Sequence, residues 1–335
     1  QISCLGSTAS FTVTATGLVS GTTPSYSYQW YKNGSLITNN SIFSGATSAT
    51  LNLTGITSSE ATSYTCVVSA TTPSGTISYT SNPATLVANA LPTITGTLTA
   101  CSGSTSQLTG SATANSINPW TSSNSGIAAV SSTGLVTAVA GGTATITYKN
   151  TNGCTTSVLF TSRALPTFTT STGSSYLCGV AGGAYTPSTF TITANAAPFT
   201  TTPWTSGSTS FATIAATSST ASSSTATITE VATGSSLITF KDVNGCVNTT
   251  TVNVQNVGIT AISPNQTTCT GVPVTLYATS TGNLINWYDA PTGGNIVGNS
   301  LSALSSSPNF TVSPTTPGTY TYYAEANIIS STNYL

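Results

Sequence analysis

Ile146-Thr-Tyr-Lys-Asn-Thr-Asn-Gly-Cys154 and Ile238-Thr-Phe-Lys-Asp-Val-Asn-Gly-Cys246 are two copies of one phrase, and the reading of the whole chain starts from them. In each copy the alternation of apolar and hydroxyl-bearing residues predicts a half-buried strand. Asn-Gly then predicts a tight turn, because both residues tolerate positive φ. A last strand should begin at the cysteine. Pro119-Trp120-Thr-Ser and Pro203-Trp204-Thr-Ser mark a second shared point upstream. From Pro to closing Cys is 35 residues in one copy and 43 in the other. The Ser-rich stretch from Ser218 to Ser224 is the natural place for the eight extra residues, as a longer loop.

Working outward, four cysteines open a related phrase: Cys4-Leu-Gly-Ser, Cys101-Ser-Gly-Ser, Cys178-Gly-Val-Ala and Cys269-Thr-Gly-Val. Each precedes a run with the period of a strand, such as Phe11-Thr-Val-Thr-Ala, Phe190-Thr-Ile-Thr-Ala or Val274-Thr-Leu-Tyr-Ala. The opening cysteines are 97, 77 and 91 residues apart, which suits one β-sandwich each. Repetition at that period predicts an array of similar modules. The expected domains are 1–89, 90–164, 165–256 and 257–335.

Composition agrees. Of 335 residues 126 are Ser or Thr, only 3% are charged, and His and Met are absent. β-Branched residues dominate and good helix formers are scarce, so the expected fold class is all-β. Low charge with many β-branched residues argues against disorder. A net charge of −1 offers no basic footprint for nucleic acid and no polybasic face for a membrane. No apolar run reaches the roughly 18 residues of a spanning helix.

Most enzymatic chemistry is excluded at the same step. The charged candidates are Lys32, Lys149, Lys241, Arg163, Glu60, Glu230, Asp242, Asp289 and Glu325, scattered singly except for Lys241-Asp242. A Ser or Cys nucleophile would lack a His base. Zinc would find only widely spaced thiolates and calcium no clustered carboxylates. No catalytic residue, metal ligand or cofactor is expected.

Pairing opening with closing cysteines gives Cys101–Cys154 and Cys178–Cys246, and by elimination Cys4–Cys66. Loops of this length are closed at a gain of about 4 kcal/mol each in the chain-entropy model. Disulfides imply an oxidising compartment, hence export. Cys66 sits in Tyr64-Thr-Cys66, inside a strand rather than after a turn, so its reach to Cys4 is open. Cys269 is left unpaired, as expected of a last module whose final strand lies outside this sequence; an intermolecular bridge is the alternative. Gln1 stands three residues before the first Cys with no signal peptide ahead of it, which fits a processed chain or an excerpt.

The joints read Val87-Ala-Asn-Ala-Leu-Pro92, Ser162-Arg-Ala-Leu-Pro166 and Val254-Gln-Asn-Val-Gly258. Short, Pro-bearing connections predict restricted swing and modules set end to end as a rod.

In the first module, Tyr28-Gln-Trp30-Tyr-Lys-Asn-Gly34, Ala49-Thr-Leu-Asn-Leu-Thr-Gly-Ile56 and Ser59-Glu-Ala-Thr-Ser-Tyr64-Thr-Cys66 resemble an immunoglobulin-like domain of the I-set type. The resemblance implies a core Trp30 and a tyrosine corner at Tyr64. It departs from the pattern where Val13 or Ala15 would stand in place of a strand-B cysteine. Ser125-Gly-Ile-Ala-Ala-Val130-Ser-Ser-Thr-Gly134-Leu-Val-Thr-Ala-Val-Ala-Gly-Gly-Thr143-Ala-Thr-Ile146 closely resembles bacterial immunoglobulin-like group 2 domains, and the third module looks like a diverged copy. Ile285-Asn-Trp287-Tyr-Asp289-Ala-Pro-Thr-Gly293-Gly294 and Thr319-Tyr-Thr-Tyr-Tyr-Ala324 are similar to repeats of very large secreted proteins of gliding and cellulolytic Bacteroidota. What the resemblance implies is export by type IX secretion and display on the cell surface as adhesin, motility filament or stalk.

Trp30, Trp120, Trp204 and Trp287, one per module, suit a core better than a sugar platform. Tyr320, Tyr322 and Tyr323 are candidates for contact with surface glycans. A lysine with nearby Asn and a carboxylate at Glu60, Glu230 or Glu325 resembles the isopeptide chemistry of some surface pilins. With few charges to guard sheet edges, self-association into fibres is one expectation and a solitary rod the other. The expected partners are other copies of the chain or neighbouring immunoglobulin-like domains. The leading functional expectation is a non-catalytic extracellular stalk or adhesive fibre. An accessory region of a secreted polysaccharide-degrading enzyme and a virion decoration protein are the rivals.

Overall fold

A computed structural model describes residues 1–16, 25–72, 75–171, 176–180, 189–257, 259–282, 284–301 and 309–327. Apart from one turn of 3-10 helix at Ser58–Glu60, its regular elements are strands. The chain divides into two compact units, Gln1–Ala164 and Leu165–Leu335.

The first unit holds two sandwiches. In the first, Thr8–Thr12, Thr50–Thr54 and Phe43–Ser44 form one sheet. Ser35–Leu36, Ser25–Lys32, Ser63–Thr72 and Gly75–Thr80 form the other, with Ala84–Thr85 also paired to Ser63–Thr72. Alternation does what it should in Thr8–Thr12: Ala9 and Phe11 point inward and their neighbours face water. Phe11 stacks on Tyr64 with ring centroids 4.9 Å apart and lies 6.3 Å from the Trp30 ring. The first core is thus centred on stacked aromatic rings, with Val13 packed against it. Cys66 remains a buried free thiol in the same core.

The second sandwich sets Ile94–Gly96, Thr105–Gly110, Leu135–Ala138 and Ala128–Val130 against Thr99–Cys101, Thr155–Arg163, Gly142–Lys149 and Trp120–Ser122. In the second unit the same plan returns with Phe168–Thr170, Thr189–Ala194, Ser224–Glu230 and Ala212–Ser219 against Tyr176–Val180, Val247–Val257, Gly234–Lys241 and Trp204–Ser206. The shared phrases land on equivalent places. Trp120 pairs with Tyr148 and Trp204 with Phe240, each with ring centroids 4.6 Å apart. The eight extra residues of the later copy do not make a longer loop. They lengthen a hairpin: Ala212–Ser219 runs eight residues where Ala128–Val130 runs three, with a bulge between Ala216 and Ser218. Thr-rich strands extend readily because both faces of a solvated edge accept hydroxyls.

Both Asn-Gly turns form as hairpins, but only the glycines take positive φ, 81° at Gly153 and 84° at Gly245. The residue four before the cysteine closes each turn. Asn150 Oδ1 accepts from Cys154 N at 2.9 Å, and Asp242 Oδ1 from Cys246 N at 2.7 Å.

The remaining strands of the second unit form two three-stranded sheets: Ile259–Ile262, Val274–Ser280 and Asn309–Val312, and Ile296–Leu301, Leu284–Tyr288 and Tyr323–Asn327. Ala278, Ile285 and Trp287 are the buried centre of this smaller core.

Candidate functional site

One register recurs and decides the cystine chemistry. In the first three sandwiches the opening strand lies parallel to a closing strand: Ile2–Cys4 on Val87–Asn89, Thr99–Cys101 on Thr155–Arg163, and Tyr176–Val180 on Val247–Val257. Cys101 therefore stands beside Arg163, nine residues after Cys154 along the same strand. At about 3.3 Å per residue that is roughly 30 Å, against a Cα–Cα limit near 7 Å for a disulfide. The expected Cys101–Cys154 bond is thus not formed. The expected Cys178–Cys246 bond fails on the same backbone register, since Cys178 lies beside Gln255, again nine residues past the closing cysteine; the Cys178 side chain is outside the described residues. Cys4–Cys66 is also corrected, because Cys66 is free and Cys4 is bonded elsewhere.

The bond that forms joins two sandwiches. Cys4 is linked to Cys154, 150 residues away, with Cα atoms 5.6 Å apart. Each half is anchored in its own module. Cys4 pairs in register with Asn89, Leu5 N donates to Asn89 O at 2.9 Å, and Gly6 N donates to Ile56 O at 2.7 Å. Ser7 Oγ donates to the Cys4 carbonyl at 2.6 Å. Cys154 is 1% exposed and is held by the Asn150 cap. In the second sandwich the register sets Cys101 and Cys154 at opposite ends, and it is Cys4, from the module before, that meets Cys154. In the chain-entropy model a cross-link of this span restrains the unfolded chain by about 5 kcal/mol. Cys101 and Cys246 are also disulfide-bonded cysteines. Cys269 is an exposed free thiol.

The charged candidates are built into structure. Lys32 Nζ meets Glu60 Oε1 at 3.1 Å and lies over the Phe43 ring at 5.7 Å. Glu60 closes a capping box with Thr57 and accepts from Thr57 Oγ1, Ser59 Oγ and Thr57 N. Burial alone would raise its pKa, but these donors together with Lys32 take it down to about 2. No asparagine amide is among these partners, so Lys32 and Glu60 form an ion pair rather than the isopeptide set. Tyr64 Oη donates to the Glu60 carbonyl at 2.9 Å, the tyrosine corner. Burial, then the Glu60 charge, pushes the phenol up to about 12. Burial also raises the Cys66 thiol, which keeps it protonated and inert. Lys241 Nζ lies 4.0 Å from the Phe199 ring centroid. Glu230 and Asp242 are buried, Asp242 as a turn cap, and Tyr288 Oη donates to Glu325 at 2.7 Å. Asp289 accepts from Asn295 N at 2.7 Å.

The four tryptophans are buried, at 3%, 7%, 6% and 1% exposure for Trp30, Trp120, Trp204 and Trp287. Trp30 Nε1 donates to Ser48 O and Trp204 Nε1 to Ser224 Oγ. Trp287 Nε1 is buried with no hydrogen-bond partner among the described residues, and the Trp287 side chain lines a cavity of about 590 Å³ with Leu276, Pro314, Tyr320 and Tyr322. Tyr322 packs edge-on against Phe310 at 5.3 Å, whereas Tyr320 and Tyr323 are exposed. Among the described residues no three His, Cys, Asp or Glu side chains gather in a way that could hold a metal. No helix among them is long and apolar enough to cross a membrane.

Three family models match along the chain: an immunoglobulin domain over residues 1–70, a bacterial Ig-like domain of group 2 over 92–157, and a CHU_C-associated Ig-like domain over 258–333. The chain is a tandem array of immunoglobulin-like domains. Several solved structures align with it at low identity. Sidekick-1 immunoglobulin domains 1–5 align at 16% identity over 98% of this chain and 75% of that one, with a TM-score of 0.21. The V domain of amphioxus IgVJ-C2 aligns at 17% identity over 27% of this chain and 99% of its own, with a TM-score of 0.22. The S-layer protein rSbsC(31–844) aligns at 14% identity over 98% and 63%, with a TM-score of 0.21. No curated protein matches the sequence.

Sequence reasoning missed Glu60 as the organising charge of the first immunoglobulin-like domain. The signal was present: Thr57-Ser-Ser-Glu60 is a capping-box pattern.

Proposed function

We propose that this chain is a non-catalytic extracellular segment of a bacterial surface protein, a stalk or fibre made of four immunoglobulin-like domains bounded near residues 89, 164 and 256. The observation that carries this reading is the Cys4–Cys154 bond, which fastens one domain to the next rather than bracing a single core. A cystine of that kind serves a chain that must hold its joints, and it persists in an oxidising exterior. Glu60 and Asp242 are committed to capping and turn closure, which fits a scaffold rather than a reaction centre.

Association of copies is part of the proposal. Gly75–Thr80 pairs along one side with Ser63–Thr72, all six of its residues are exposed, and it bears Ile77 and Tyr79 with no charge. Such a strand lacks the lysines that keep sheet edges apart. The experiment has two arms. Protease shaving of intact producing cells should release this segment, and negative-stain imaging of the purified chain at high concentration should show laterally or end-to-end associated particles. Retention of the segment inside intact cells would refute the surface reading; monodisperse particles would refute association.

A second reading, glycan contact by an accessory region of a secreted enzyme, is favoured by the cavity that Trp287 and the exposed Tyr320 line together. Oligosaccharides that quench Trp287 fluorescence in the wild type, with quenching lost in Tyr320→Ala, would support it; no quenching by any of them would remove it.

A further inference from the structure

The position of the Cys4–Cys154 bond has a mechanical meaning. We propose that it is a load bypass: tension applied between the two ends of the first unit runs through the disulfide, and residues 5–153 are left out of the stretched path. This rests on the reading of the chain as a load-bearing stalk, but the connectivity can be tested apart from it.

The path follows from the covalent graph. Force entering at Gln1 passes along Ile2–Cys4, crosses to Cys154, and leaves along Thr155–Arg163. Only these two short strands lie on the shortest covalent route. Both are locked laterally in register. Ile2–Cys4 is held by Val87–Asn89, and Thr155–Arg163 lies between Gly142–Lys149 on one side and Thr99–Cys101 on the other. All of the first core and most of the second, including Trp30, Tyr64, Trp120 and Tyr148, belong to the bypassed loop; of the second core, Phe160 and the flanking Val158 sit on the loaded strand. Unfolding either core cannot lengthen the tether while the bond is intact. An unlinked pair of sandwiches would release its chain at about 3.3–3.6 Å per residue. Across the 150-residue separation that is about 500 Å of extension withheld. The same logic explains why the bond joins opposite poles. A cystine confined within one core would spare that core alone, whereas this one takes the first domain, the joint and the second domain as far as Cys154 out of the tether.

The test is single-molecule stretching of the full chain, with one handle at the N-terminus and the other on a reactive residue introduced at Ala164. With the disulfide intact, no lengthening beyond a few tens of ångströms is expected from this unit at forces that unfold immunoglobulin-like domains. The double variant Cys4→Ala with Cys154→Ala, held the same way, should lengthen by about 500 Å more, in steps. Should that variant fail to fold, adding a dithiol reductant to the loaded wild type supplies the comparison, since the same lengthening should follow reduction. Equal extension with and without the bond, or full extension of the oxidised wild type, would overturn the proposal. A chain found inside cells would remove the stalk reading and leave this tether length unchanged, so the two failures are distinguishable.

Discussion

Replacing Glu60 by Gln probes a buried charge held by four hydrogen-bond donors. The carboxylate is 2% exposed and takes hydrogen bonds from Thr57 Oγ1 at 2.6 Å, Ser59 Oγ at 2.7 Å, Thr57 N at 2.9 Å and Lys32 Nζ at 3.1 Å. Desolvation opposes the charge, and the four donors outweigh it, so the pKa falls from 4.5 to about 2. A carboxyl group whose pKa is lower in the folded state stabilises the fold above its unfolded pKa. The contribution is therefore complete above pH 4.5 and is lost as the pH falls towards 2. At 1.36 kcal/mol per pK unit the shift corresponds to about 3 kcal/mol. Glu60→Gln removes the titration, so variant and wild type should differ by about that amount at pH 7 and converge near pH 2. The assay is urea unfolding at a series of pH values, read by pulsed hydrogen exchange at fixed pH on peptides from Ser63–Thr72. A wild-type midpoint that stays flat from pH 6 to 2.5, or a variant equal to wild type at pH 7, would refute the reasoning.

Tyr64→Phe removes the hydrogen bond to the Glu60 carbonyl and should cost the first domain about 1–2 kcal/mol, visible in calorimetry as a lower melting transition. Gly134→Ala should be worse, about 2–4 kcal/mol on the second domain. Gly134 holds φ at 85°, and an added methyl would press on the Leu108 carbonyl and the Trp120 ring, which exchange protection across Thr105–Gly110 would report. Asp242→Ala leaves the amides of Cys246 and Asn244 without their acceptor, for a loss of about 2 kcal/mol, whereas Asp242→Asn should be nearly neutral because Asn150 fills the same place one module earlier.

What could be read from residues alone was whatever repeats. Pro-Trp-Thr-Ser, the closing Asn-Gly-Cys and Tyr64-Thr-Cys66 each report a local environment, and local environments survive as patterns of residue type. Pairing of cysteines does not. When each module carries one opening and one closing cysteine, bonds within modules and bonds between neighbours leave the same sequence. What separates them is the parallel register of Thr99–Cys101 on Thr155–Arg163, a non-local pairing that puts the two cysteines of one module at opposite poles. The Phe11–Tyr64 stack was hidden for a related reason, since the pairing of Thr8–Thr12 with its neighbours decides which side chain meets Tyr64. The hairpin extension at Ala212–Ser219 was misread because Ser-rich composition suits an exposed strand as well as a loop.

Which sulfurs are joined decides whether the first two domains are fastened to each other. Native protein with its free thiols blocked, digested at low pH without reduction and analysed by mass spectrometry, should yield a linked pair of peptides carrying Cys4 and Cys154, with Cys66 modified only after denaturation. A Cys4–Cys66 or Cys101–Cys154 peptide in their place would contradict it.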